Sequence, residues 1–388
     1  MAKITIMEDF VQLILDAYDN LFNDGNEWFG GGKLLELQFG IFPENLKYLT
    51  TFIAQLMLLF MFVAVDIIMI IWLERKVMAH GMHRRGPMID PLWPIIGRIG
   101  LMQNIADFIK FFSKEDVVPE DADRRLFDYS IFIIIVTAIV GVAIIPFTQD
   151  WFITSPAAGF LYIVAVFSLF PIAVLVGGWA SNNKYSIIGG FRSAAQLISY
   201  EIPLVLAIAG VVMWSGTLSL LGIVEAQQNG WFAFVMPVGV LVFLVSMLAE
   251  AERIPFDLPE AEAELVMGWR TEFAAWRYMM SMFHEYAAFL ISSFLVVIFF
   301  FGGWDDPFLG PVLVDMFGTP IQAVLFLVKV HIIIFIMIWV RAALPRVRID
   351  QLLDIGWKRM IPLGLLNLFW VALLLYFDPV IFGWHIVS

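Results

Sequence analysis

Residues 49–73 read LTTFIAQLMLLFMFVAVDIIMIIWL, with one charged side chain, Asp66, and neither Gly nor Pro. As a helix rising 1.5 Å per residue, such a run exceeds the ~30 Å hydrocarbon core of a bilayer. It stops at Glu74-Arg75-Lys76. Further spans fall near 127–147, 157–180, 195–215, 232–249, 275–301, 320–341 and 359–380. The expected fold is an all-α integral membrane protein with about eight transmembrane helices. Composition agrees: 61% of the 388 residues are hydrophobic, 15% are charged, and mean hydropathy is +0.86. A soluble domain would carry roughly a quarter of its residues as charges.

Basic residues set the orientation. Of 23 Lys and Arg, nine fall in 74–125, two in 181–194, three in 250–277 and five in 341–359. The intervening loops 148–156, 216–231 and 302–319 hold none. Short loops rich in Lys and Arg stay cytoplasmic. Both termini are therefore expected outside, in the inner (cytoplasmic) membrane of a cell. Residues 1–20 carry Glu8, Asp9, Asp16 and Asp19 and lack the basic-then-apolar start of a cleavable signal peptide. Residues 1–48 are expected as an N-terminal extension on the outer surface, with an amphipathic helix over 8–22 that Gly25 and Gly30 interrupt. Residues 49–388 form the membrane domain, with large cytoplasmic loops at 74–125 and 250–274.

Several chemistries are excluded within this chain. It has no cysteine, so it offers no thiolate for an iron–sulfur cluster or zinc site and no disulfide. A net charge of −12 does not suit nucleic acid. Of five histidines only His284 and His331 fall within spans, without the spacing of stacked haem ligands. No Gly-rich phosphate loop follows a strand, and no metal site is expected.

The first long loop carries its own helix. Leu101, Ile105, Phe108 and Phe112 recur at helical spacing, while Gln103, Asn104, Asp107, Lys110 and Lys114 take the other face. Such a helix is too short and polar to span, and is expected to lie flat in the cytoplasmic interface. It serves there as an anchor or as the wall of a cavity.

The loop from 250 to 264 is acidic: Glu250, Glu252, Asp257, Glu260, Glu262 and Glu264 face a single cation, Arg253. Crowding and partial burial both favour the protonated form of such carboxyls. The stretch also reads as a helix N-terminus, with Asp257 as cap, Pro259 in the first turn and Glu260 at the third position. Glu201 sits in an otherwise apolar span, where an ionisable group costs roughly 2.5–3.5 kcal/mol and needs a partner or a function. Asp66, Lys329 and His331 meet the same test. Lys329 or His331 can pair with Asp66 or Glu201.

A family resemblance runs through these loops. Glu74-Arg75-Lys76-Val77, Arg84-x-Gly86-Pro87 and Gly100-Leu101-Met102-Gln103 lead to Ala106-Asp107 and Lys110. Gly178-Trp179-Ala180-Ser181-Asn182-Asn183-Lys184-Tyr185-Ser186 and Ser199-Tyr200-Glu201 follow. Then come the acidic loop, Glu272, Glu285-Tyr286, Phe301-Gly302-Gly303-Trp304 and Arg341-Ala342-Ala343-Leu344-Pro345-Arg346. In this order, over roughly 50–375, the pattern resembles the H-type membrane subunits of complex I, the respiratory NADH:quinone oxidoreductase. It departs at Met82, where the family usually has Gln, in extra residues around 88–99, and in Phe273-Ala274-Ala275 after Glu272.

The resemblance implies a subunit of a multi-subunit, proton-translocating enzyme with no redox centre of its own. Quinone (ubiquinone or menaquinone) is then the substrate, and flavin and iron–sulfur clusters sit in partner subunits. The partners implied are quinone-site hydrophilic subunits, small membrane subunits, antiporter-like subunits and the lipid bilayer. The resemblance assigns Arg75, Asp107, Lys110 and Phe108 to the quinone chamber. Glu201, Glu250, Glu252, Asp257, Glu260, Glu262, Glu264, Glu272 and Glu285 become the proton relay, tuned by Arg253. The alternative is the homologous membrane subunit of a membrane-bound hydrogenase or ferredoxin-driven complex. A stand-alone transporter would show an inverted repeat, and a structural anchor would leave Glu201 unexplained.

Overall fold

The computed structural model describes residues 44–88, 100–149, 151–259, 262–307, 310 and 320–381. The extension's amphipathic helix, most of the insertion near 88–99, and Glu260 lie outside the described residues. Every assigned element among the described residues is helical.

Helix α1 (Glu44–Gly81) contains the opening apolar run and carries it to the basic loop. The flat helix α2 (Met102–Ser113) follows, then α3 (Arg124–Ala143), capped by Asp123 through the amides of Arg125 and Leu126. Helices α4 (Gly159–Phe167) and α5 (Leu169–Ala180) form one span interrupted at Ser168, whose hydroxyl donates back to Val164 O at 2.9 Å. Helix α6 (Lys184–Ser215) starts eleven residues before the expected 195. The cause is local: Asn183 Oδ1 accepts from the Tyr185 amide at 3.0 Å, satisfying a free helix-start donor. It ends at Gly216, in the left-handed conformation at φ 71°.

The expected span 232–249 is broken. After the short α7 (Leu220–Glu225) come α8 (Phe232–Val235) and α9 (Pro237–Glu250). Pro237 has no N–H to continue a helix but suits the first position of a new one. At 14 residues, α9 is shorter than the other spans. The acidic loop leads to α10 (Glu262–Leu265) and a 3₁₀ turn, Gly268–Arg270. Then come α11 (Ala275–Phe300), α12 (Pro320–Ala343), α13 (Ile349–Ile355) and α14 (Ile361–Ile381). A π-turn at Gly356–Met360 joins the last two, so the final span begins ten residues before 359.

Seven helices among the described residues are long and apolar enough to cross a membrane, with α9 the shorter apolar segment beside them. The chain is a multi-pass, all-α membrane protein. Helix α11 is its axis: the whole apolar window of this helix is buried, against 22% for α1 and for the final span. It packs on α1, α3, α9 and α12. That position explains why α11 can carry His284, Glu285, Ser292 and Ser293 inside the protein, away from lipid.

Helix α2 fits the interfacial expectation. Asn104, its one buried residue, donates to Ile68 O of α1 at 3.0 Å. Ile105, Phe108, Ile109 and Phe112 stay exposed on its apolar side, as a helix resting on a hydrocarbon surface or lining a chamber requires.

Candidate functional site

The loop after α9 is clamped onto α6 through Gln196, whose Nε2 donates to Ala249 O and Phe256 O, both at 2.8 Å. Pro255 O accepts from the Val347 amide at 3.0 Å. Held on both sides, Glu250, Glu252, Arg253 and Asp257 are only 4–7% exposed. The reading as a solvated helix start is corrected: the described helix begins at Glu262, and Asp257 turns to Arg346 at 2.9 Å.

The turn Gly268–Arg270 is fixed by the same helix. Ser186 Oγ donates to the carbonyls of Gly268 and Trp269, at 3.3 and 3.2 Å. Gly189 lets the turn approach: a Cβ there would lie 2.6 Å from the Gly268 backbone. Arg270 is thereby driven inward and is 1% exposed.

These supports assemble a largely buried ladder of charged side chains, Arg and Glu alternating as far as Glu252. Glu74, near the end of α1, pairs with Arg341 of α12 and accepts from Arg253 Nη1 at 3.0 Å. Arg253 Nε lies 2.9 Å from Glu285 Oε1, and Arg270 Nη1 lies 2.8 Å from Glu285 Oε2. Arg270 Nη2 stands 3.8 Å from Glu252 Oε2, and Glu252 also accepts from Ser193 Oγ. Glu250 follows, within electrostatic reach of both Glu252 and Glu201. Glu201 closes the series by accepting from Ser168 Oγ, at the break between α4 and α5. The ladder runs from α1 and α12 across α11 to the α4–α5 break.

Electrostatics within the ladder is strong because water is excluded. Burial opposes charge on Arg253, but Glu285 and then Glu74 outweigh it and hold the guanidinium above the usual arginine range. The Tyr286 ring lies 4.1 Å from that guanidinium. Glu250 Oε2 has no hydrogen-bond partner among the described residues, an arrangement that favours a neutral carboxyl over a carboxylate. The gap between Glu250, Glu252, Arg270, His284 and Glu285 is too narrow for a water molecule.

Other anticipated acids lie apart. Glu264 pairs with Arg192 at 2.6 Å and remains 59% exposed. Glu272 accepts from Asn183 Nδ2 at 2.5 Å, half-buried at the loop surface. Glu262 opens α10. Asp257 has its carboxyl pushed above the usual aspartate range by burial, against the lowering effect of Arg346. Of the residues expected to bind quinone, Arg75 and Asp107 form an ion pair at 2.8 Å, 43% and 35% exposed. Lys110 and Phe108 sit exposed on α2 nearby, with Phe108 edge-on to Phe112. Lys329 pairs neither with Asp66 nor with Glu201. It holds Asp306 at 3.2 Å and the carbonyls of Phe301 and Gly303.

Three arginine and glutamate members of the ladder had no assigned role in the sequence: Glu74, Arg270 and Arg341. Each stands at the end of a span or in a basic loop, where a charge reads as a marker of sidedness. Partner spacing of 179 residues between Arg253 and Glu74, and 267 between Arg341 and Glu74, leaves no local signal.

The sequence profile of the family described as NADH dehydrogenase matches residues 54–372. The chain belongs to that family. Among curated relatives, the H subunits of NADH-quinone oxidoreductase from Bacillus thuringiensis subsp. konkukian, Bacillus cereus (strain AH187) and Bacillus anthracis (strain A0248) are each 44% identical over 301 residues. Those alignments cover 78% of this chain and 87% of each relative. All the ladder residues from Glu74 to Arg341 fall inside the NADH dehydrogenase match.

Proposed function

We propose that this chain is the membrane subunit of a proton-pumping NADH-type quinone oxidoreductase. Its cytoplasmic side forms part of the quinone chamber, and its buried carboxyls pass the effect of quinone reduction to proton translocation. Quinone is a substrate shared with hydrophilic partner subunits, which carry the redox centres. Small and antiporter-like membrane subunits receive the signal. The Lys/Arg-rich loops face the cytoplasm and both termini face outward.

One observation supports the reading: the largely buried chain of ion pairs from Arg341 and Glu74 through Arg253, Glu285 and Arg270 to Glu252, with Glu250 and Glu201 within electrostatic reach beyond it. A purely structural membrane helix bundle gains nothing from so many desolvated charges, because an apolar replacement is often as stable. A ladder with one neutral carboxyl among carboxylates can instead shift a proton when a charge changes beside it. Arg75 and Asp107, at the inner end of α1 and on the flat helix, supply a polar end beside an exposed apolar surface. That combination suits a headgroup with a long apolar tail. The likeness to the H subunits of NADH-quinone oxidoreductase supports this over the hydrogenase-type alternative.

The decisive experiment uses Glu250→Gln in inverted membrane vesicles carrying the intact complex. We expect normal assembly, with NADH-driven acidification reduced at least about tenfold, a barrier change of roughly 1.4 kcal/mol. Full acidification at the normal NADH oxidation rate would overturn the relay.

A further inference from the structure

Asp66 of α1 and His331 of α12 meet near the middle of their spans, outside the ladder. His331 Nε2 lies 3.1 Å from Asp66 Oδ1, and His331 Nδ1 lies 2.8 Å from Leu327 O. A carbonyl oxygen only accepts, so Nδ1 must carry a hydrogen. In a neutral ring Nε2 then has none, and a carboxylate has none to offer. Two bare acceptors at 3.1 Å would repel. The contact therefore requires one further proton, on Nε2 or on Oδ1.

From this geometry we propose that Asp66 and His331 form a proton-binding site within the membrane, in the seam between α1 and α12. The pair binds and releases that proton as a unit. Asp66 is 8% exposed and its Oδ2 is buried without a hydrogen-bond partner among the described residues, so a lone carboxylate there would be poorly solvated. The His331 side chain is 36% exposed, so the seam is open on the His331 side.

The site is separate from the ladder. Asp66 precedes Glu74 by eight residues and His331 precedes Arg341 by ten, which is about 12–15 Å along each helix. Ile67, Ile70, Ile334, Met337 and Ile338 are buried between them. Charged groups on the neighbouring elements are engaged elsewhere. Lys329 holds Asp306, Arg341 holds Glu74, and Glu285 of α11 holds Arg270 and Arg253. His284 of α11 is bonded to Ile134 O. Toward α1, helix α3 presents Ala138 and Val142, and the flat helix presents Asn104. One turn outward on the same two faces, Leu59, Phe62, Ala323 and Leu327 line an apolar cavity of about 230 Å³. Among the described residues, the charges on these neighbouring elements are thus held away from the pair.

The test is carbethoxylation of His331 by diethyl pyrocarbonate, which attacks an unprotonated imidazole nitrogen. It is read by peptide mass spectrometry on the intact purified complex between pH 6 and 8.5. With the shared proton in place, Nε2 is blocked. We expect His331 to react at least tenfold more slowly in the wild type than in Asp66→Ala at pH 7, with the gap closing as pH rises. Asp66→Asn is the second variant: its amide donates to Nε2 without any titratable proton, so slow labelling should persist at every pH. Equal rates in wild type and Asp66→Ala at pH 7 would overturn the site. So would a wild-type rate as flat with pH as that of Asp66→Asn, an outcome readable even if the alanine variant does not assemble.

Discussion

Arg270 Nη1 lies 2.8 Å from Glu285 Oε2, joining the turn after the acidic loop to the most buried helix of the protein. Glu285 also faces Arg253, so one carboxylate serves two buried guanidinium groups. Removing it leaves both with a carboxylate fewer in a desolvated place. Breaking one partner of a buried pair costs about 3–5 kcal/mol, whereas replacing the pair by apolar groups of similar volume is often neutral. Glu285→Ala should therefore sharply reduce the amount of the chain found in membranes. Arg270→Met combined with Glu285→Met should recover part of it, because Arg253 keeps Glu74 as its counter-charge, as an immunoblot of membranes will show.

Glu272 tests how far the acidic character of this region is functional. Its carboxylate accepts from Asn183 Nδ2 at the loop surface and touches no member of the ladder among the described residues. Glutamine keeps an acceptor oxygen in that place. A half-exposed polar contact is worth about 0–1 kcal/mol. Glu272→Gln should thus leave NADH-driven acidification within about twofold of the wild type, in contrast to Glu250→Gln. A tenfold loss would bring Glu272 into the relay by a route other than direct contact.

Much of this was legible in the sequence, for physical reasons that also mark the limit. The spans follow from runs of apolar residues because lipid leaves a backbone no other partner for its hydrogen bonds. The flat helix follows from the spacing of Leu101, Ile105, Phe108 and Phe112. Helix ends were less legible, since Asn183 and Pro237 act through single capping and donor effects that hydropathy does not register. Glu250, Glu252, Arg253 and Glu285 are marked as candidates by the acidic loop and the family resemblance. Their counter-charges are not, because Glu74 and Arg341 look like any membrane-flanking charge until the fold places them 3.0 Å or less from the loop or from each other. The sequence allows the pairing of Asp66 with His331, whereas nothing in it points from Lys329 to Asp306.

Arg75 and Asp107 offer a prediction that separates binding from folding. Their ion pair is 43% and 35% exposed, so it adds little to stability. Arg75→Ala should leave the complex assembled while raising the KM for quinone about tenfold or more, the loss of one charge-assisted contact. Turnover at varied quinone concentration in purified complex reads this directly. Disappearance of the complex from membranes would make Arg75 a structural residue instead.

Asp257 provides a dependence on pH with a definite sign. Burial raises its carboxyl above the usual aspartate range, and Arg346 offsets this only in part. An unfolded aspartate titrates near pH 3.9, so the folded chain keeps this proton to higher pH than the unfolded chain. The stabilisation is fully present below about pH 4 and is lost as pH climbs through the raised folded value. Asp257→Asn cannot titrate and should not show this loss. The unfolding temperature of the variant should therefore gain on that of the wild type as pH rises from 4 toward neutrality, measured in the same detergent. A gain of wild type over variant in that interval would mean that Arg346, 44% exposed though it is, outweighs the desolvation of the carboxylate.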